Sequence, residues 1–110
     1  MSFYVKDSLP ELYIIRKNGD NKLLRLLIQT SNKELIFAFS EIFANILTED
    51  VIPIPLELQA KVNRRKTILK RISRKTTSIE ERRQLLIRLL GKNLLQSIVN
   101  VVLNTLENVR

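Results

Sequence analysis

Eight basic side chains and no acidic one fall between Lys61 and Lys75, in the stretch KVNRRKTILKRISRK. They are Lys61, Arg64, Arg65, Lys66, Lys70, Arg71, Arg74 and Lys75. The chemistry open to such a set is phosphate binding, in which ammonium and guanidinium groups neutralise closely spaced anions and release their counterions. Val62, Ile68, Leu69 and Ile72, with Leu58 one turn upstream, recur at helical spacings. Read as one helix from about Leu56 to Arg74, the stretch presses a narrow apolar stripe onto a core and turns its positive sides outward. Lys66, Lys70 and Arg74 then align along one edge and Arg64, Arg71 and Lys75 along another, each suited to a run of phosphates. Arg82, Arg83 and Arg88 extend the surface. Asn63 is the single amide in the stretch, so sequence-specific reading of bases is not indicated.

Other chemistry lacks its residues. The chain has no histidine and no cysteine, which removes the commonest general base, the thiolate nucleophile, disulfides and the usual metal ligands. Glu11, Glu34, Glu80 and Glu81 stand where helices begin, and Glu41 and Glu57 sit on helices with no assigned structural role. There is no glycine-rich phosphate loop. The expectation is a non-catalytic protein with no cofactor and no metal.

The charge is unevenly placed. Residues 1–50 hold six basic and seven acidic side chains, a net of −1, whereas residues 51–110 hold thirteen and four, a net of +9. Such asymmetry points to nucleic acid, an acidic protein or an anionic membrane surface, set against a solvated face that serves solubility. The membrane comes last, because the basic stretch has few large apolar residues and the chain no tryptophan. The first residues, MSFYVKDSLPELYIIRK, lack the features of a secretory signal, and no segment is apolar enough to span a bilayer. An intracellular or nuclear protein that is not secreted is therefore expected.

The elements that must position the basic side chains are helical. At 110 residues the length fits one domain, and only 2 glycines and 3 prolines interrupt it. Ser8-Leu9-Pro10-Glu11 reads as a capping box opening a short helix that Asn18-Gly19 stops. Asp20 or Asn21 caps a second helix carrying Leu23, Leu24, Leu27 and Ile28. Ser31-Asn32-Lys33-Glu34 is a further capping box, and the helix over about 32–47 carries Leu35, Ile36, Phe39, Ile42, Phe43, Ile46 and Leu47. Its aromatic residues, Phe37 included, read as core rather than as a base-stacking platform. Thr48-Glu49-Asp50 ends it, and Val51-Ile52-Pro53-Ile54-Pro55 is an extended connector. After the basic helix, Ser78-Ile79-Glu80-Glu81 is a third capping box, and Gly91 marks either a stop or a close helix contact. The last helix carries Leu94, Leu95, Ile98, Val99, Val101, Val102, Leu103 and Leu106. It is innermost, a dimerisation face through Leu95, Ile98, Val99, Val102 and Leu106, or membrane-active, in that order.

Several of these pieces resemble a known family. They are Leu23-Leu24 with Leu27, KELIFAFSEIFANIL over 33–47, Pro55-Leu56, NRRKTILKRISRKTTSIEERRQLLIR over 63–88, and Gly91. The order is similar to that of the small basic proteins encoded by Polinton/Maverick-type virus-like elements, the adintoviruses. Leu35, Ile36, Ser40, Glu41, Ile42, Asn45, Leu47, Ser78, Arg82 and Arg83 fall on the family's pattern. The resemblance implies a viral or virus-derived protein that condenses DNA in a virion core, similar in role to the small basic core proteins of adenoviruses. Where the family has a glycine-rich apolar tail, this chain has Gly91-Lys92-Asn93 and an amphipathic helix, which implies a self-contained folded domain.

The expectation is thus an all-α, compact bundle of five or six short helices, with the basic helix exposed. Its first function is sequence-nonspecific DNA or RNA binding through phosphates. The alternative is a protein–protein interaction or homo-oligomerisation module that uses the apolar last helix or recruits an acidic partner.

Overall fold

The computed structural model describes residues 3–48, 54–91 and 93–108. Its helices follow from local capping and periodicity. The first, α1 (Phe3–Asp7), meets α2 (Leu9–Lys17) at the buried Ser8. The Ser8 N–H donates to the Tyr4 and Val5 carbonyls, and its side chain makes no cap bond. The expected capping box is therefore absent, because Ser8 closes one helix as the next begins. Asn18 ends α2, and Asp20 caps α3 (Asn21–Thr30) by accepting from the Lys22 N–H at 3.0 Å.

The longest helix, α4 (Lys33–Leu47), starts at Asn32 without a side-chain cap, since the Ser31 hydroxyl donates instead to the Ile28 carbonyl. The residues expected to end it on acidic charge, Glu49 and Asp50, and most of the extended connector, Val51 to Pro53, lie outside the described residues. Beyond them run α5 (Leu56–Arg64), α6 (Lys66–Ser73), α7 (Ile79–Arg88) and α8 (Leu94–Glu107). Among the described residues there are eight helices and no strand, more helices than the five or six expected. The excess is α1, too short for its periodicity to register, and the division of the basic stretch into two.

One core joins them all. Packed against α1, α6 and α7, α4 fully buries Phe39 and Phe43, whose rings lie 5.8 Å apart. The helix α8 packs against α2 and α5, and α3 packs against α7. The Cα radius of gyration, 12.6 Å, is close to the ~13 Å of a compact domain near this length. Burial of Phe39 and Phe43 leaves neither ring available to stack on a base.

Gly91 resolves as a stop. Its φ of 112° lies where side-chain-bearing residues are strained, and a Cβ there would meet nothing within 4 Å. The turn it serves separates α7, which ends at Arg88, from α8. The third capping box keeps its serine bond, with Ser78 Oγ accepting from the Glu81 N–H at 3.2 Å. Ser78→Ala is expected to lower stability by about 1 kcal/mol and Ser78→Asp to leave it nearly unchanged, read from urea unfolding midpoints.

Candidate nucleic-acid interface

Of the basic stretch, α5 supplies Lys61 and Arg64, α6 supplies Lys66, Lys70 and Arg71, and the turn after α6 supplies Arg74 and Lys75. The single straight helix expected over Leu56–Arg74 is not formed. Its apolar positions show why: Arg65 lies three residues after Val62 and four before Leu69, at the centre of the stripe. A continuous helix would press that guanidinium into the core. Instead the chain leaves helical geometry at Arg65 (φ −111°, ψ 15°), and its N–H closes the α5 end on the Val62 carbonyl at 3.1 Å. Leu58 and Val62 are then buried where α5 packs on α8, while Leu69 and Ile72 are buried where α6 packs on α4. Arg65 is left half-buried.

This division corrects the two expected edges. Lys66 and Lys70 still share one side of α6, but Arg74 and Lys75 lie past its end and Arg64 belongs to α5. Seven of the eight cations are nonetheless exposed, Arg65 being the exception, and so is Arg88 at the end of α7. Arg71 pairs with Glu81, a surface contact of small energetic worth. Among the described residues no ion pair engages Lys61, Arg64, Lys66, Lys70, Arg74 or Lys75.

Arg82 and Arg83 behave otherwise, and their expected place on the phosphate surface is corrected. Arg82 is 6 % exposed. Its Nε donates to the Thr77 carbonyl at 2.8 Å, Nη2 to the Arg74 carbonyl at 2.8 Å and Nη1 to Ser40 Oγ at 3.2 Å. Its guanidinium also lies over the Phe37 ring, 5.6 Å from the centroid. Arg83 Nη1 donates toward the carbonyls of Ile28 (2.6 Å) and Ser31 (2.9 Å), which no helical N–H satisfies at the end of α3. Both arginines therefore hold the fold. Arg82 in particular fixes the turn that presents Arg74 and Lys75, which Thr77 Oγ1 tightens by donating to the Arg71 carbonyl at 2.6 Å.

The proposed oligomer face fares similarly. Leu95, Ile98, Val99 and Val102 are at most 2 % exposed and Leu106 is half-buried against the core. The apolar side of α8 is closed by α2 and α5 and offers no free face to a second chain. Among the described residues no helix is long and apolar enough to cross a membrane, and no His, Cys, Asp or Glu cluster could hold a metal ion.

Two hollows border the basic surface. One, of about 450 Å³, is lined by Ile46, Leu47, Ile54, Gln59, Val62, Asn63 and Lys66 and so carries one cation. The other, of about 190 Å³, is lined by Lys61, Arg64 and Arg65 with the buried Leu89 and Leu94. Nothing in the sequence pattern brings Leu89 and Leu94 to Arg64; only the packing of α5 on α8 does. Compared with known protein families, curated proteins and solved structures, the chain matches none.

Proposed function

We propose that this chain is a non-catalytic, sequence-nonspecific nucleic-acid-binding protein that condenses DNA through the surface formed by α5, α6 and the turn after α6. The observation that carries the reading is the set of unpaired cations there: Lys61, Arg64, Lys66, Lys70, Arg74 and Lys75, with no described carboxylate engaging them. Apolar residues of the same helices are committed to the core, so the charge is displayed on a fixed scaffold. A regular polyanion matches such a surface better than a compact acidic patch does, because the cations run along two helices and a turn. The resemblance to virus-like-element proteins supports a viral or virus-derived origin and a role in a virion core.

A salt titration with random-sequence duplex DNA tests this reading. Six phosphate contacts at about −0.9 each give an expected slope of log affinity against log salt of about −5. The slope is expected to be independent of DNA sequence. Flat or absent binding near physiological salt would overturn it and assign the charge to a protein or lipid partner.

A further inference from the structure

We infer that Thr76 is a phosphorylation site for a protein kinase that reads basic residues before its target, and that phosphate there displaces nucleic acid from the turn after α6. The displacement rests on the nucleic-acid reading above, whereas the site stands on the turn itself. The Thr77 N–H donates to the Arg74 carbonyl at 3.2 Å, which closes a β-turn with Lys75 and Thr76 at its tip. Arg82 holds the Arg74 and Thr77 carbonyls from the core side, and both tip residues are exposed. Arg74 and Ser78 on either side have extended backbone, with ψ of 134° and 157°, the conformation that a kinase cleft accepts. Exposed tips of this kind are where modifying enzymes reach a folded chain.

Thr67, Ser73, Thr76, Thr77 and Ser78 carry the hydroxyls of the basic stretch and the turn that follows it. Thr67 lies inside α6, where helical backbone cannot enter a cleft as an extended strand. Ser73 Oγ donates to the Lys70 carbonyl at 2.8 Å, Thr77 Oγ1 to the Arg71 carbonyl at 2.6 Å, and Ser78 Oγ caps α7. Thr76 is left, exposed, outside any helix and with no hydrogen bond to its hydroxyl among the described residues. Lys75 and Arg74 precede it directly, and Arg71 and Lys70 lie further upstream. In the transfer the Thr76 oxygen bonds to the γ-phosphorus of ATP as the bond to the β,γ-bridging oxygen breaks. ADP leaves with that electron pair, and the hydroxyl proton passes to the kinase's catalytic aspartate. The product carries a charge of about −1.5 to −2 at pH 7 within the same turn as Arg74 and Lys75. Those are two of the unpaired cations of the surface, and a phosphate tethered beside them competes with a strand in solution.

The test incubates the protein with magnesium ATP and a kinase of this preference, the catalytic domain of protein kinase C, and locates the phosphate by tandem mass spectrometry. One phosphate is expected, on Thr76. Thr76→Val is expected to accept none and to keep the parent's urea unfolding midpoint, and Thr76→Ser to accept it again. The phosphorylated protein, separated by cation exchange, is expected to lose about two from its salt slope for random duplex DNA and roughly 60-fold in affinity at ~0.1 M salt. Phosphatase treatment is expected to restore both. Transfer to Thr67, Ser73, Thr77 or Ser78 in place of Thr76, or no transfer, would overturn the inference and leave the nucleic-acid reading intact. Phosphate on Thr76 with an unchanged slope would overturn the displacement. A parent protein that accepts the phosphate and binds no DNA would overturn the nucleic-acid reading and leave the modification site standing.

Discussion

Replacing Arg64, Lys66, Lys70 and Lys75 together by glutamine is expected to lower affinity for random duplex DNA by about three and a half orders of magnitude at ~0.1 M salt. Each phosphate contact releases about 0.9 counterion, so each adds close to one decade of affinity at that concentration relative to 1 M salt. The four side chains are exposed and unpaired among the described residues, and none is part of the core. Their loss should leave unfolding midpoints nearly unchanged while the salt slope drops by about four. The measurement is a pair of salt titrations, variant against parent, with circular dichroism to check the helices. An unchanged slope in a folded variant would place DNA contact elsewhere and refute the assignment of this surface.

Arg82→Ala is expected to do the opposite: to lower stability by about 3 kcal/mol, a large share of the 5–15 kcal/mol typical of a domain. The substitution removes three hydrogen bonds from one buried guanidinium, strips the Thr77 carbonyl of the Arg82 donor and leaves the Arg74 carbonyl with the Thr77 N–H alone. Water can rehydrate part of the turn, which keeps the effect below the sum of three charged hydrogen bonds. Arg82→Lys is expected to recover little, because an ammonium cannot span acceptors on two elements as the guanidinium fork does. Urea unfolding of parent and variants reads the effect. A variant with unaltered stability but a smaller DNA salt slope would return Arg82 to the phosphate surface.

The contrast between these two sets of arginines has a physical basis. Charge density marks a region but assigns no role, because each arginine is defined by the acceptors it meets. Arg71, Arg74, Arg82 and Arg83 look alike in the sequence. Arg74 faces solvent, Arg71 pairs with Glu81, and Arg82 and Arg83 bridge helices. Arg82 also links the two behaviours, since the carbonyl it holds belongs to Arg74. A phosphate-facing residue is thus positioned by a buried one.

Local physics determined a good deal by itself. Leucine and isoleucine spacing marked α3, α4, α7 and α8, and the stop at Asn18 and the cap at Ser78 depend on residues within one turn. The confinement of positive charge to the second half follows from composition. Even the break at Arg65 left a trace in the chain, as a cation at the centre of an apolar stripe. Tertiary structure decided the rest. Ser8 lost its capping role because a further helix precedes it, and α8 became core because α2 and α5 close over its apolar side. Arg82 meets Ser40 across 42 residues of chain and Arg83 meets Ile28 across 55. Helix formation depends on neighbours three or four residues away, so sequence shows it. The fate of a side chain depends on which distant element packs against it, and that is settled only when the core closes.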